Sequence, residues 1–283
     1  MNKIIAAIDG SRSSESVCDH AAWVSQRLSA PLVLLHVAHT PHADKEADYS
    51  GNLTIGNRKQ LLDEMVELEE QRNRLLREQG KVILADAFER VKAQGVEEAE
   101  RLLRHGSITE SLNKLQEDAR MVILGKQGKD GDKVERHVGS HLESLIRTLM
   151  TPILVTPLDY RKPERFLIAY DGSATAQKVV DKVAFSPLLK GLPAHILLVG
   201  DDNSANQAKV AKAQAQLAEQ GFEVQTAVRN GEVSDVICAY SKEKQIHLMA
   251  MGAFGQSLLR RFFVGSNTTR MIMEAQIPLL ILR

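Results

Sequence analysis

Short apolar runs alternate with longer amphipathic stretches along the whole chain. The runs predict strands at about Ile4–Asp9, Leu32–Val37, Glu97–Leu103, Met121–Leu124 and Ile153–Val155. A second set falls at about Phe166–Tyr170, His195–Val199, Glu223–Val228, Leu248–Met251 and Leu279–Leu282. Helical spacing fills the gaps, as over Ser13–Leu28 and Ile108–Glu117. Strands such as Leu32-Val33-Leu34-Leu35 are apolar at every position, which suits a sheet covered on both faces. Alternation of strand and helix argues for parallel strands joined by helical crossovers.

The two sets are copies of one unit. Asp9-Gly10-Ser11 recurs as Asp171-Gly172-Ser173, an offset of 162, and Pro31 to Val37 keeps that offset with Pro193 to Val199. Later landmarks are offset by 126: Gly139-Ser140 matches Gly265-Ser266, and Thr151-Pro152 matches Ile277-Pro278. The first copy therefore holds about 36 extra residues after its second strand. The expected domains are 1–157, with the extra segment at about 40–80, and 164–283. Two prolines, Pro157 and Pro163, bracket a polar join.

Within the extra segment, His39 to Asn57 is polar and reads as a loop, and Arg58 to Gln94 reads as helix. Leu61, Met65, Leu68, Leu75 and Leu76 are at helical spacing, as are Phe88 and Val91, and Gly80 is a candidate break or bend. The default expectation is a long helix packed on its own domain. The alternative is an arm that clasps the other domain or another chain.

Composition narrows the class. Apolar residues are 43% of 283, enough for a core, and Lys plus Arg balances Asp plus Glu at 36 each. A net charge of zero removes the global basic field of a strong nucleic-acid binder, so no nucleic-acid partner is expected. Cys18 and Cys238 have no metal-ligand spacing and suggest a reducing compartment. No apolar run approaches the length of a bilayer span, and no membrane partner is expected. These features point to a cytoplasmic protein.

The chemistry concentrates after the fourth strand of the second copy. Gly252 and Gly255 are followed, after nine intervening residues, by Gly265-Ser266-Asn267 at the start of a predicted helix, Thr268–Ala275. Glycines admit close backbone approach, and the unpaired amides of a helix N-terminus favour an anion. Asp171 and Val199 end neighbouring strands, where open parallel sheets bind ligands at the point of strand-order reversal. The pattern reads as a nucleotide site. In the first copy the counterparts are Asp9, Val37, Gly125, Gly128, Gly139 and Ser140. There the spacing is ten residues rather than nine, and the loop carries Asp130, Asp132 and Glu135, which repel phosphates. The second site therefore ranks above the first.

On these residues the sequence resembles the universal stress protein family, specifically its tandem two-domain members. The resemblance implies a Rossmann-like α/β fold of the adenine nucleotide alpha hydrolase type. It has two open parallel five-stranded sheets of strand order 3-2-1-4-5, with helices on both faces. One branch of that family binds ATP through the glycine loop. Carried over, Asp171 and Val199 lie near the adenosine, and Gly252, Gly255, Gly265, Ser266 and Asn267 surround ribose and phosphates. The cofactor expected is ATP, with or without Mg2+.

Other constellations are weaker. His36, His39 and His42 follow a strand at three-residue spacing and are a minor metal candidate. Ser11 and Ser173 are expected to cap the helices that follow them. Leu258, Leu259, Phe262 and Phe263 sit inside the glycine loop and need cover. The last strand of each copy is a sheet edge in the resembled fold. These edges are expected to pair within the chain as a pseudo-dimer, with a homodimer as a further expectation. The leading functional expectation is nucleotide binding that acts through partners in a stress response. The alternatives are a slow ATP hydrolase or nucleotidyl-transfer enzyme, and a ligand-free dimerisation protein.

Overall fold

A computed structural model describes residues 2–38, 55–128, 140–252 and 276–283, with backbone alone at 55–62 and 140–141. The first half contributes β1 (Lys3–Ala7), α1 (Ser13–Leu28), β2 (Leu32–Ala38), α2 (Ile55–Ala93), β3 (Ala99–His105), α3 (Ile108–Leu115), β4 (Ala119–Gly125), α4 (Ser140–Thr148) and β5 (Ile153–Thr156). The second contributes β6 (Phe166–Tyr170), α5 (Ala174–Phe185), β7 (Ala194–Val199), α6 (Ser204–Glu219), β8 (Val224–Arg229), α7 (Val233–Glu243), β9 (Leu248–Gly252) and β10 (Leu279–Leu282).

Each half has the expected strand order, and the two halves merge. One ten-stranded sheet runs β3-β2-β1-β4-β5-β10-β9-β6-β7-β8. Within each half neighbouring strands are parallel, and the seam between β5 and β10 is antiparallel, pairing Leu280 with Leu154. The seam satisfies two edge ladders that would otherwise face solvent. The two separate sheets expected from the repeat are thus a single sheet with pseudo-twofold arrangement.

Both faces of that sheet are apolar and continuous across the seam. On one face Ile4, Leu34 and Ile123 of the first half share a core with Ile168, Ile196 and Leu280 of the second. The other face joins Val122, Ile146 and Val155 to Leu167, Met249 and Ile281. Two arginines cross the join. Arg27 of α1 donates from Nε to the Leu188 carbonyl at 3.0 Å, and Arg283 donates to the Ile146 and Arg147 carbonyls at the end of α4. The latter gives a cation to the exposed carbonyls of a helix C-terminus.

Helix α2 runs unbroken through Gly80. A Cβ there would lie 2.6 Å from Leu103 Cδ1 and 3.0 Å from His36 Cδ2, so glycine lets the helix press onto β2 and β3. The helix is not broken there, and the glycine serves close packing. The helix is fixed at its C-terminal third. Ile83, Leu84, Ala87, Phe88 and Val91 pack on the core. Arg90 grips buried Asp19 through two hydrogen bonds, Nε to Oδ1 at 2.9 Å and Nη2 to Oδ2 at 2.8 Å.

Candidate functional site

The carboxyl edge of the sheet brings the two Asp-Gly-Ser turns beside the ends of their fourth strands. Strand β6 lies between β7 and β9, so strand order reverses there, and Asp171 immediately follows β6. Gly252 is the last residue of β9. A crevice between them is lined by Ala169, Asp171, Ser173, Thr175, Met251 and Gly252. Val199 ends β7 beside it and is partly exposed.

The sequence builds this turn locally. Asp171 Oδ1 accepts the Ser173 amide at 2.8 Å, and Ser173 caps α5 by accepting the Ala176 amide at 3.1 Å. The Asp side chain closes its own turn, which fixes where the carboxylate stands. Gly172 between them has φ +75, the left-handed region that favours glycine. Gly252 has no room for a side chain, since a Cβ would lie 2.6 Å from Thr175 Cγ2. The backbone of β9 therefore meets the start of α5 directly and leaves the crevice narrow.

The first half repeats the plan with different side chains. Asp9 Oδ1 accepts from the Ser11 amide at 2.9 Å, Ser11 Oγ at 2.6 Å and Ser14 Oγ at 3.1 Å. Ser11 is spent on this carboxylate and does not cap α1, contrary to expectation. Ser14 Oγ instead accepts the Gly10 amide at 3.0 Å. Gly125 ends β4, and Ser13 Oγ donates to the Gln127 carbonyl at 2.6 Å. A Cβ on Gly128 would lie 3.1 Å from Asp9 Oδ2, so the strand-end loop sits against the carboxylate. Val37 lies near the end of β2.

The helix after the second strand lies over each turn, and here the halves differ in chemistry. Over Gly10 stands the Ile83 side chain of α2, with Cδ1 2.8 Å from where a Cβ would be. Over Gly172 stands Lys209 of α6, with Cδ at 2.6 Å from the equivalent point. Lys209 Nζ donates to Asn206 Oδ1 at 3.0 Å near the surface. One turn is roofed by an apolar side chain, the other by a flexible chain that ends in a cation. Neither residue stood out in the sequence, although both occupy corresponding positions under the offset of 126.

The remaining expected site residues divide by what is described. Gly139, Gly255, Gly265, Ser266 and Asn267 lie outside the described residues, as do His39, His42 and the apolar residues of the glycine loop. Ser140 opens α4 by its backbone. His36 is buried and bonds through Nδ1 to the Ile8 carbonyl at 2.8 Å, a structural role that ties β2 to the end of β1. Among the described residues no group of three or more His, Cys, Asp or Glu could hold a metal. No helix among them is long and apolar enough to cross a membrane.

A doubly wound sheet with paired Asp-Gly-Ser turns at its order reversals defines the class of protein, and comparison with known proteins agrees. The model of the universal stress protein family matches residues 1–157 and 199–283, and the chain belongs to that family. It is 31% identical over its full length, and the full length of the relative, to universal stress protein Slr1230 of Synechocystis sp.. A universal stress protein from Archaeoglobus fulgidus shares the fold at TM-score 0.68 and 16% identity, covering 100% of this chain and 96% of that one. A putative universal stress protein from Pseudomonas aeruginosa follows at TM-score 0.57 and 16% identity, covering 100% and 93%.

Proposed function

We propose that this chain binds an adenine nucleotide, ATP, in the crevice of its second half, and that nucleotide occupancy controls its association with partners in a stress response. The observation that carries the reading is the pairing of Asp171 with Gly252 at the point where the strand order reverses. Asp171 is held by its own turn and offers a carboxylate to sugar hydroxyls or the adenine amine. The sequence after Gly252, with Gly255 and Gly265-Ser266-Asn267, supplies backbone amides and hydroxyls for phosphates. Lys209 adds a cation within reach of the same mouth.

The first half is the poorer site. Ile83 covers Gly10, Asp9 is engaged by three donors, and the strand-end loop lies against it. A ligand there would have to displace a helix that is bonded to α1. The intervening sequence also carries Asp130, Asp132 and Glu135. We propose accordingly that residues 1–157 form a structural partner domain and 164–283 the binding domain.

Titration with a fluorescent ATP analogue tests the reading. Asp171→Ala is expected to weaken binding about 10- to 100-fold, the worth of a hydrogen bond to a charged group. Asp9→Ala is expected to leave affinity within about threefold, well below one such bond. Equal loss in both variants, or none in Asp171→Ala, would reject the assignment.

A further inference from the structure

Helix α2 has two parts with different surroundings. From Ile83 onward it is packed and clamped, while from residue 63 to 79 no side chain is buried. Seventeen residues at 1.5 Å each carry this part about 25 Å beyond its anchorage. Gly80 sits against His36 and Leu103, near the ends of β2 and β3, so the projecting part leaves from the carboxyl edge of the sheet.

The projecting part carries a heptad seam, apolar at Met65, Leu68, Leu75 and Val82 and polar at Arg72 and Gln79. Met65, Leu68, Arg72, Leu75, Gln79 and Val82 follow one another at alternating spacings of three and four, the a and d positions of a heptad. Leu68 is 65% exposed, Leu75 71% and Val82 59%. Leu61 extends the seven-residue repeat at sequence level. A strict seven-residue repeat is the pattern of a helix that winds on another helix, rather than of one lying on a sheet. Among the described residues no side chain in 63–79 is buried, and the seam is not covered by the second half.

Charge identifies the occupant. Residues 63–70 hold Asp63, Glu64, Glu67, Glu69 and Glu70 and no base, while 71–77 hold Arg72, Arg74 and Arg77 and no acid. In an antiparallel pair each a residue faces a d residue of the partner. Setting Leu68 against the second copy's Arg72 also sets Met65 against its Leu75. That register places residues 63–70 of one copy beside residues 70–77 of the other, acid against base on both sides of the dyad. A parallel pair would set the acidic block against itself. The surface is self-complementary, as a twofold contact requires.

We propose that α2 is a dimerisation arm: residues 61–79 of two copies of this chain form an antiparallel coiled coil centred near residue 70. The arm joins the copies with their carboxyl edges toward one another. Arg72, a charged group in the seam, sets the register by reaching the partner's acidic block, as polar seam residues do elsewhere.

Sedimentation of the full chain at micromolar concentrations, at low and high salt, tests this. Wild type is expected to dimerise, and more weakly as salt rises. The double variant Leu68→Glu, Leu75→Glu places charges at exposed positions of an existing helix. It is expected to keep its helix content and melting temperature and to weaken dimerisation by at least about 100-fold. A mixture of Leu68→Cys and Arg72→Cys chains is expected to give the mixed disulfide on oxidation. A wild-type monomer, a dimer indifferent to the double variant, a dimer that tightens with salt, or a disulfide formed chiefly between two Leu68→Cys chains would each overturn the proposal.

Discussion

At the residue scale, three buried histidines set the acid response of the fold. His20 of α1 bonds through Nδ1 to the Ser16 carbonyl at 2.8 Å, and burial lowers its pKa to about 4. Burial likewise lowers His195 and His247. A histidine of lowered pKa takes its proton in the unfolded chain before it does so in the folded one. Its neutral form is therefore stabilising above about pH 6.5, and that contribution is lost as pH falls toward 4. For His20 alone the loss between pH 8 and pH 5 is about 2 kcal/mol. Denaturant melts at those two pH values are expected to show at least that difference, and His20→Leu to reduce it. Stability unchanged between pH 8 and pH 5 would contradict the burial of these rings.

The two cysteines separate in the same way. Cys18 is buried, and desolvation, aided by the neighbouring Asp19 charge, pushes its thiol up to about 12, so thiolate is scarce at neutral pH. Cys238 is partly exposed. Alkylation of native protein is expected to modify Cys238 and to reach Cys18 only on unfolding, which mass spectrometry of the peptides reads directly.

At the element scale, the anchorage of α2 is the feature most sensitive to single changes. Arg90 bridges Asp19 with two bonds and reaches Glu15 at 2.8 Å. Arg90→Ala would leave a buried carboxylate without that partner, and a loss of about 1.5–3 kcal/mol is expected in equilibrium melts. Gly80→Val sets a branched side chain where Leu103 and His36 leave no room. It is expected to destabilise the fold, although glycine is ordinarily the weaker helix former by about 1 kcal/mol. A stabilised Gly80→Val protein would show that the helix does not press on β2 and β3 as described.

Much of this scale was legible beforehand, for identifiable reasons. Helix α1 spans the predicted Ser13–Leu28, because its apolar face and polar face repeat cleanly. Strand β3 was displaced by two residues, to Ala99–His105. It is an edge strand, half-exposed along its length, so no apolar run marks its ends. The pairing of β5 with β10 followed from the edge argument and needs no residue-level detail. What sequence could not show is contact across elements. Ile83 and Lys209 are ordinary residues in helical stretches until the crossover lays them over Gly10 and Gly172. Ser11 resembles a cap until its hydroxyl is seen on Asp9.

At the scale of the whole molecule, duplication has given one sheet with two inequivalent ends. Both cores run through the seam, and arginines from each half bind carbonyls of the other. The two halves are therefore expected to unfold together, in a single calorimetric transition, despite the repeat. Two resolved transitions would argue for independent domains. The asymmetry lies at the carboxyl edge. In the first half Ile83 of α2 covers the turn and the helix extends away from the body, and in the second the turn faces a crevice with a nearby cation. Under the two proposals above, the first half would supply assembly and the second binding.

A crystal structure grown with ATP is the sharpest test of this division. One nucleotide per chain is expected, its ribose or base on Asp171 and its phosphates over the backbone after Gly252, with Ile83 still seated on Gly10. Nucleotide density at Asp9 with the second crevice empty, or equal density at both turns, would contradict it.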